Sequence, residues 1–94
     1  MTGRIQLRAF MGLRELFKTR HWTNPKAVPV QGSIRGCELL AGLNIPAERV
    51  QMIFVNGRAF ARDAAVIRPG DRVALVPAGA PIPFITGLYK PSAL

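Results

Sequence analysis

The sequence predicts an α+β domain: a mixed sheet of four or five strands with one helix across one of its faces. Three observations lead there. Arg4–Phe10 alternates apolar and polar residues with period two. Ser33–Leu43 carries apolar residues at three- and four-residue spacings. Val50–Pro77 reads as strands punctuated by Asn-Gly and Pro-Gly turns.

Along Arg4–Phe10, Ile5, Leu7 and Ala9 face one way, and Gln6 and Arg8 the other. That is a strand with one buried face. Met11–Phe17 reads as an irregular turn with Leu13, Leu16 and Phe17 tucked inward. Lys18–Lys26 is a basic loop turned by Asn24-Pro25, holding the only Trp and the only His. Trp22 is expected over the sheet edge with its indole N–H in water. Ala27–Gln31 is a second strand with Val28 and Val30 on one face. Pro29 has no N–H for a ladder, so this strand belongs at an edge.

Ser33 is a good N-cap for the helix, because its hydroxyl can accept from a free backbone N–H. The expected stripe is Ile34, Cys37, Leu40 and Ala41. Gly36 weakens such a helix by about 1 kcal/mol relative to alanine. Gly42 or Asn44 ends it, and Pro46 prevents continuation. Cys37, on the stripe, reads as a small core residue. Gln51–Val55 is rich in β-branched and aromatic residues. Asn56 and Gly57 accept the positive φ angles of a tight hairpin. Pro69 and Gly70 suit a turn needing one left-handed residue, with Asp71 beside them. Arg72–Val76 is the last strand and Pro77 ends it. The core should contain Ile5, Leu7, Val28, Val30, Ile34, Leu40, Ile53, Val55, Val73 and Leu75.

Strand, strand, helix, strand, hairpin, strand is the order of a β-grasp. The stretch IFVNGR, followed by PGDRVALVP, resembles the C-terminal half of the MoaD/ThiS family of ubiquitin-like sulfur carriers. IPAERV (Ile45–Val50) is similar to that family's lead-in to the same strand, and MGLRELF to its segment between the first two strands. The resemblance covers roughly residues 4–79. It implies a ubiquitin-like β-grasp domain over residues 1–79, followed by a Pro-rich apolar extension over 80–94. It implies a carrier or small subunit in molybdopterin- or thiamine-type cofactor biosynthesis, not an enzyme in its own right. Its partner would be an ATP-dependent activating enzyme or a pterin-synthase-type subunit.

In that family the C-terminal carboxylate of a Gly-Gly tail receives the sulfur. Two residues without β-carbons let the backbone thread into a narrow active site. Here the chain reads PAGAP (Pro77–Pro81) and continues to Leu94. The expectation is that the chain as written is not a competent carrier. Gly79 serves only if a protease exposes it. The alternative is a non-carrier interaction module whose tail docks on a partner or on another copy. Ile82, Phe84, Ile85, Leu88 and Tyr89 make the tail too apolar for a solvated linker.

The remaining chemistry is sparse. The formal net charge is +8, and of the 13 Lys and Arg residues only Lys90 lies beyond Gly79. This favours an acidic protein partner. Nucleic acid is disfavoured, since the cations are spread and few aromatics accompany them. The five carboxylates are scattered, and GSIRG lacks the lysine of a phosphate loop. One Cys and one His do not make a metal set. No catalytic, cofactor or metal residue is therefore assigned. No apolar run approaches the roughly 18–20 residues of a membrane span. The single Cys suits a reducing cytoplasm.

Overall fold

The computed structural model describes residues 2–79. The expectations for the tail, from Ile82 to Tyr89, lie outside the described residues. The elements are β1 (Thr2–Ala9), α1 (Gly12–Thr19), β2 (Lys26–Gln31), β3 (Ile34–Arg35) and α2 (Gly36–Gly42). A 3-10 turn (Ala47–Arg49) leads into β4 (Val50–Val55), β5 (Arg58–Phe60), β6 (Val66–Ile67) and β7 (Arg72–Pro77).

Five strands form one mixed sheet in the order β2-β1-β7-β4-β5. β1 and β7 run parallel at its centre, and the other pairs are antiparallel. β2 lies at an edge, where the missing N–H of Pro29 is tolerated. β3 and β6 form a separate two-stranded ladder, Ile34 opposite Ile67. The domain is α+β, with a five-stranded mixed sheet and two helices.

Both helices lie on the same side. Leu13 and Phe17 of α1, and Leu39 and Leu40 of α2, join Ile5, Leu7, Val28, Val30, Ile53, Val55, Val73 and Leu75 in one buried cluster. Phe17 is 1% exposed; burying a ring of that size contributes roughly 1.5–3 kcal/mol. Val50 at the start of β4, Ala65 in the loop before β6 and Ile67 of β6 join the same cluster, as do Ala9 and Ile45.

The helices depart from the sequence reading in three ways. First, Gly12–Thr19 is a helix and not an irregular turn. Leu13, Leu16 and Phe17 stand three and four residues apart, which is itself a helical stripe. Second, α2 begins at Gly36 and not at Ser33, because Ile34 and Arg35 pair with β6. Its first turn is closed by the Glu38 carboxylate, which accepts the Arg35 backbone N–H at 2.8 Å. Third, the buried stripe is Gly36, Leu39 and Leu40. Cys37 and Ala41 are exposed and Ile34 is half-buried, so Cys37 is not a core residue. The later start rotates the helix relative to the expected register.

Gly36 is at this contact because nothing larger fits. A β-carbon there would overlap the Arg62 carbonyl oxygen and Ile53 Cδ1. Its N–H donates to the Ala65 carbonyl at 2.9 Å, and Cys37 N–H to the Arg62 carbonyl at 3.1 Å. These bonds pin the start of α2 to the loop before β6. At the other end, Arg20 Nη1 and Nη2 donate to the Leu43 and Asn44 carbonyls, tying α1 to the end of α2.

Candidate functional site

The two faces of the sheet differ in their cover. On β1 the residues facing away from the helices are Arg4, Gln6 and Arg8; on β7 they are Arg72, Ala74 and Val76. On β4 they are Met52 and Phe54, with Ala59 of β5 beside them. Phe54 and Val76 are buried in a second cluster with Met52, Ala59 and Ala74, all of them strand residues. No described helix contributes to it. We call this the outer face.

The local sequence explains it. β1 alternates strictly and is polar on its outer side. VALVP and QMIFV do not alternate; they are apolar runs, the pattern of strands with both faces shielded from water. Register then brings the outer residues together. Arg8 lies opposite Ala74, Phe54 opposite Ala74 on the other side, and Met52 opposite Val76. A cavity of about 220 Å³ opens among Arg8, Phe10, Phe54, Gly57, Arg72, Val73 and Ala74. Arg4, Arg8 and Arg72 are exposed, and among the described residues their guanidinium groups have no hydrogen-bonding or ionic partner.

The acidic residues lie elsewhere. Glu15 is on α1, Glu38 on α2, Glu48 in the 3-10 turn and Asp63 in the loop before β6. Asp71 is engaged in the turn before β7. Its Oδ2 accepts the Arg68 N–H at 2.8 Å and its Oδ1 the Asn56 side-chain amide at 3.0 Å. Asn56 Oδ1 in turn accepts the Arg72 N–H at 2.9 Å. Asn56 and Gly57 have φ of 52° and 87°, and Gly70 has φ of 92°. Asn56, Gly57, Pro69, Gly70 and Asp71 thus form one linked pair of turns at the start of β7. Gly79 lies past the other end of that strand. Ala78 N–H donates to the Arg49 carbonyl at 2.8 Å, and Gly79 follows with φ of 83°.

Several other cations hold the fold. Arg62 Nη1 donates to the Ala47 and Val50 carbonyls, and Arg35 to the Asp63 carbonyl. Trp22 is half-buried. It meets Phe17 edge-on at 5.2 Å and is flanked by the Arg20 guanidinium at 4.9 Å and the Lys26 ammonium at 5.0 Å. Its ring is occupied by its own chain. Asn24 fastens the loop by bonding both the N–H and the carbonyl of Ala9.

Among the described residues no three His, Cys, Asp or Glu side chains could together hold a metal ion, and no helix is long and apolar enough to cross a membrane. The turns were legible in the sequence, but the outer-face cluster of Phe54, Ala74 and Val76 beside Arg72 was not. The available signal was the loss of alternation in β4 and β7. No family model matches the chain, and no curated protein matches it.

Proposed function

We propose that this chain is a β-grasp protein of the MoaD/ThiS kind, related to the sulfur carriers of molybdopterin- or thiamine-type cofactor biosynthesis, that works by docking on a protein partner. The observation that carries the reading is the outer face: a strand-borne cluster of Met52, Phe54, Ala59, Ala74 and Val76 to which no described helix contributes, beside exposed Arg4, Arg8 and Arg72, whose guanidinium groups no described residue pairs with. The sheet order, with the first and last strands parallel at its centre and α2 on one face, supports the β-grasp assignment.

The chemistry of carriage is a separate matter. Carriers need two residues without β-carbons after the last strand. Here Gly79 is followed by Ala80 and Pro81. A positive φ at Gly79 bends the backbone where a carrier tail would run extended. These features favour a second reading, a β-grasp interaction module without the carrier step. A chain cut after residue 80 separates the two. It is incubated with ATP, a sulfur donor and an activating enzyme of the MoaD/ThiS type, and read by intact mass. The first reading expects the Ala80→Gly version to exchange a carboxyl oxygen for sulfur at least about tenfold faster than the Ala80 version, the ratio of a barrier difference near 1.4 kcal/mol. If neither version takes up sulfur, the carrier relationship fails and the interaction module stands.

A further inference from the structure

We propose that residues 80–89 of this chain fold back over the outer face of its own sheet and cover Phe54, Ala74 and Val76. This goes beyond the docking role above, since it names what occupies the face before any partner does. It starts from burial. Phe54 is 4% exposed and Val76 0% exposed, both in the cluster to which no described helix contributes. Phe54 lies opposite Ala59 on β5 and opposite Ala74 on β7. Strand side chains stand roughly perpendicular to the sheet, so a phenyl ring between two alanines rises well clear of both methyl groups. Those neighbours alone would leave the ring in water. Val76, opposite half-buried Met52, is likewise closed to water from above. Neither Phe10 nor Phe54 is without a partner. The face is covered, and both described helices lie on the other side of the sheet.

The segment after Gly79 is the one placed to supply the cover. β7 is paired on both sides, by β1 and by β4. A chain leaving it has no free edge beside it and must pass over a face or away from the sheet. Gly79, with φ of 83°, allows a sharp reversal there. Ala74 stands five positions before Gly79 and Phe84 five after it; Val76 and Ile82 stand three before and three after. A fold-back at Gly79 therefore brings Phe84 level with Ala74 and Phe54, and Ile82 level with Val76. Pro81 and Pro83 have no N–H, so the segment loses little by lying over side chains and not in a ladder. Residues 80–89 carry no charged side chain and bring no cation against the exposed Arg4, Arg8 and Arg72.

The other large apolar groove does not show this cover. It encloses about 410 Å³ between β2 and α2, and Pro29, Gln31, Glu38 and Gly42 of its lining are exposed. On the outer face the tail acts as a lid that a docking partner has to displace. The lid itself does not depend on that partner.

The test uses the full chain carrying Cys37→Ser, so that one added cysteine reports. Ala74→Cys puts a thiol beneath the tail, and Ala41→Cys puts one on the exposed side of α2. The rate of alkylation by iodoacetamide is read for each, with and without Phe84→Ser/Ile85→Ser. The tail substitutions should speed reaction of the Ala74→Cys thiol at least about fivefold and leave the Ala41→Cys thiol within about twofold. In the unsubstituted chain, Phe84 ring protons should show direct NOEs to the methyl groups of Ala74 and Val76, independent of protein concentration. Equal Ala74→Cys rates with and without the tail substitutions would overturn the lid. Protection that grows with protein concentration would overturn the fold-back in favour of a second copy's tail. NOEs from Phe84 to Val28 or Leu43 would overturn it in favour of the groove between β2 and α2. Partner docking is read by binding and not by thiol reactivity, so the two proposals fail separately.

Discussion

Gly36→Ala reverses the usual sign of a glycine-to-alanine change in a helix. In an open helical position the replacement stabilises by roughly 0.5–1 kcal/mol, because glycine loses more backbone freedom on folding. At Gly36 the new β-carbon meets the Arg62 carbonyl oxygen and Ile53 Cδ1, with Ala65 Cβ at 3.3 Å. Ile53 can rotate. The carbonyl cannot withdraw without weakening the Cys37 N–H bond at 3.1 Å that it accepts. Overpacking of this kind costs about 1–3 kcal/mol, more where backbone must move. With a propensity gain of about 0.5 kcal/mol, a net loss of about 0.5–2.5 kcal/mol remains. That corresponds to a fall in Tm of about 4–8 °C per kcal/mol for a domain of this size. Gly42→Ala is the internal control, in the same helix and with nothing within 4 Å of the added carbon. It should be neutral or stabilise by up to about 1 kcal/mol. Urea unfolding of both variants reads the difference directly. If Gly36→Ala is as stable as the parent, the close approach of α2 to the loop before β6 is wrong.

Two further outcomes follow from the packing. Gly57→Val and Gly70→Val each place a β-branched residue at positive φ and should lose about 1–3 kcal/mol by thermal unfolding; parental stability in both would refute the left-handed turns. Phe17→Ala should lose about 3–5 kcal/mol, since Phe17 is 1% exposed and is the largest fully buried side chain among the described residues; a loss under about 1 kcal/mol would mean that α1 does not pack on the sheet.

The strands were legible because their chemistry is local. Alternation in Arg4–Phe10 identifies β1 and its buried face, and Ile5 and Leu7 are 1% and 0% exposed. Pro29 marks an edge strand by lacking a donor. The helices were less legible because tertiary contacts set their ends. Ile34 and Arg35 would extend α2, but Ile67 and Val66 offer ladder partners 33 and 31 positions away in the chain, and pairing with them starts the helix later. That shift turns Cys37 outward. Gly36 looks like a weak helix residue until the Arg62 carbonyl is seen against it. The site was the least legible part. Arg8 and Arg72 are 64 positions apart, and only the parallel register of β1 with β7 makes them neighbours.

The proposed docking role places the partner on the outer face and not on the helix face. Two alanines test it with identical chemistry. Ala74 lies at the centre of the outer face, and Ala41 is exposed on α2. Each is changed to arginine in the full chain, and affinity for an activating enzyme of the MoaD/ThiS type is measured by calorimetry. Ala74→Arg should weaken binding at least about tenfold, by adding bulk and charge at the centre of the outer face, while Ala41→Arg should stay within about twofold of the parent. Equal affinity for the parent and Ala74→Arg, a loss confined to Ala41→Arg, or no binding by the parent chain would contradict it.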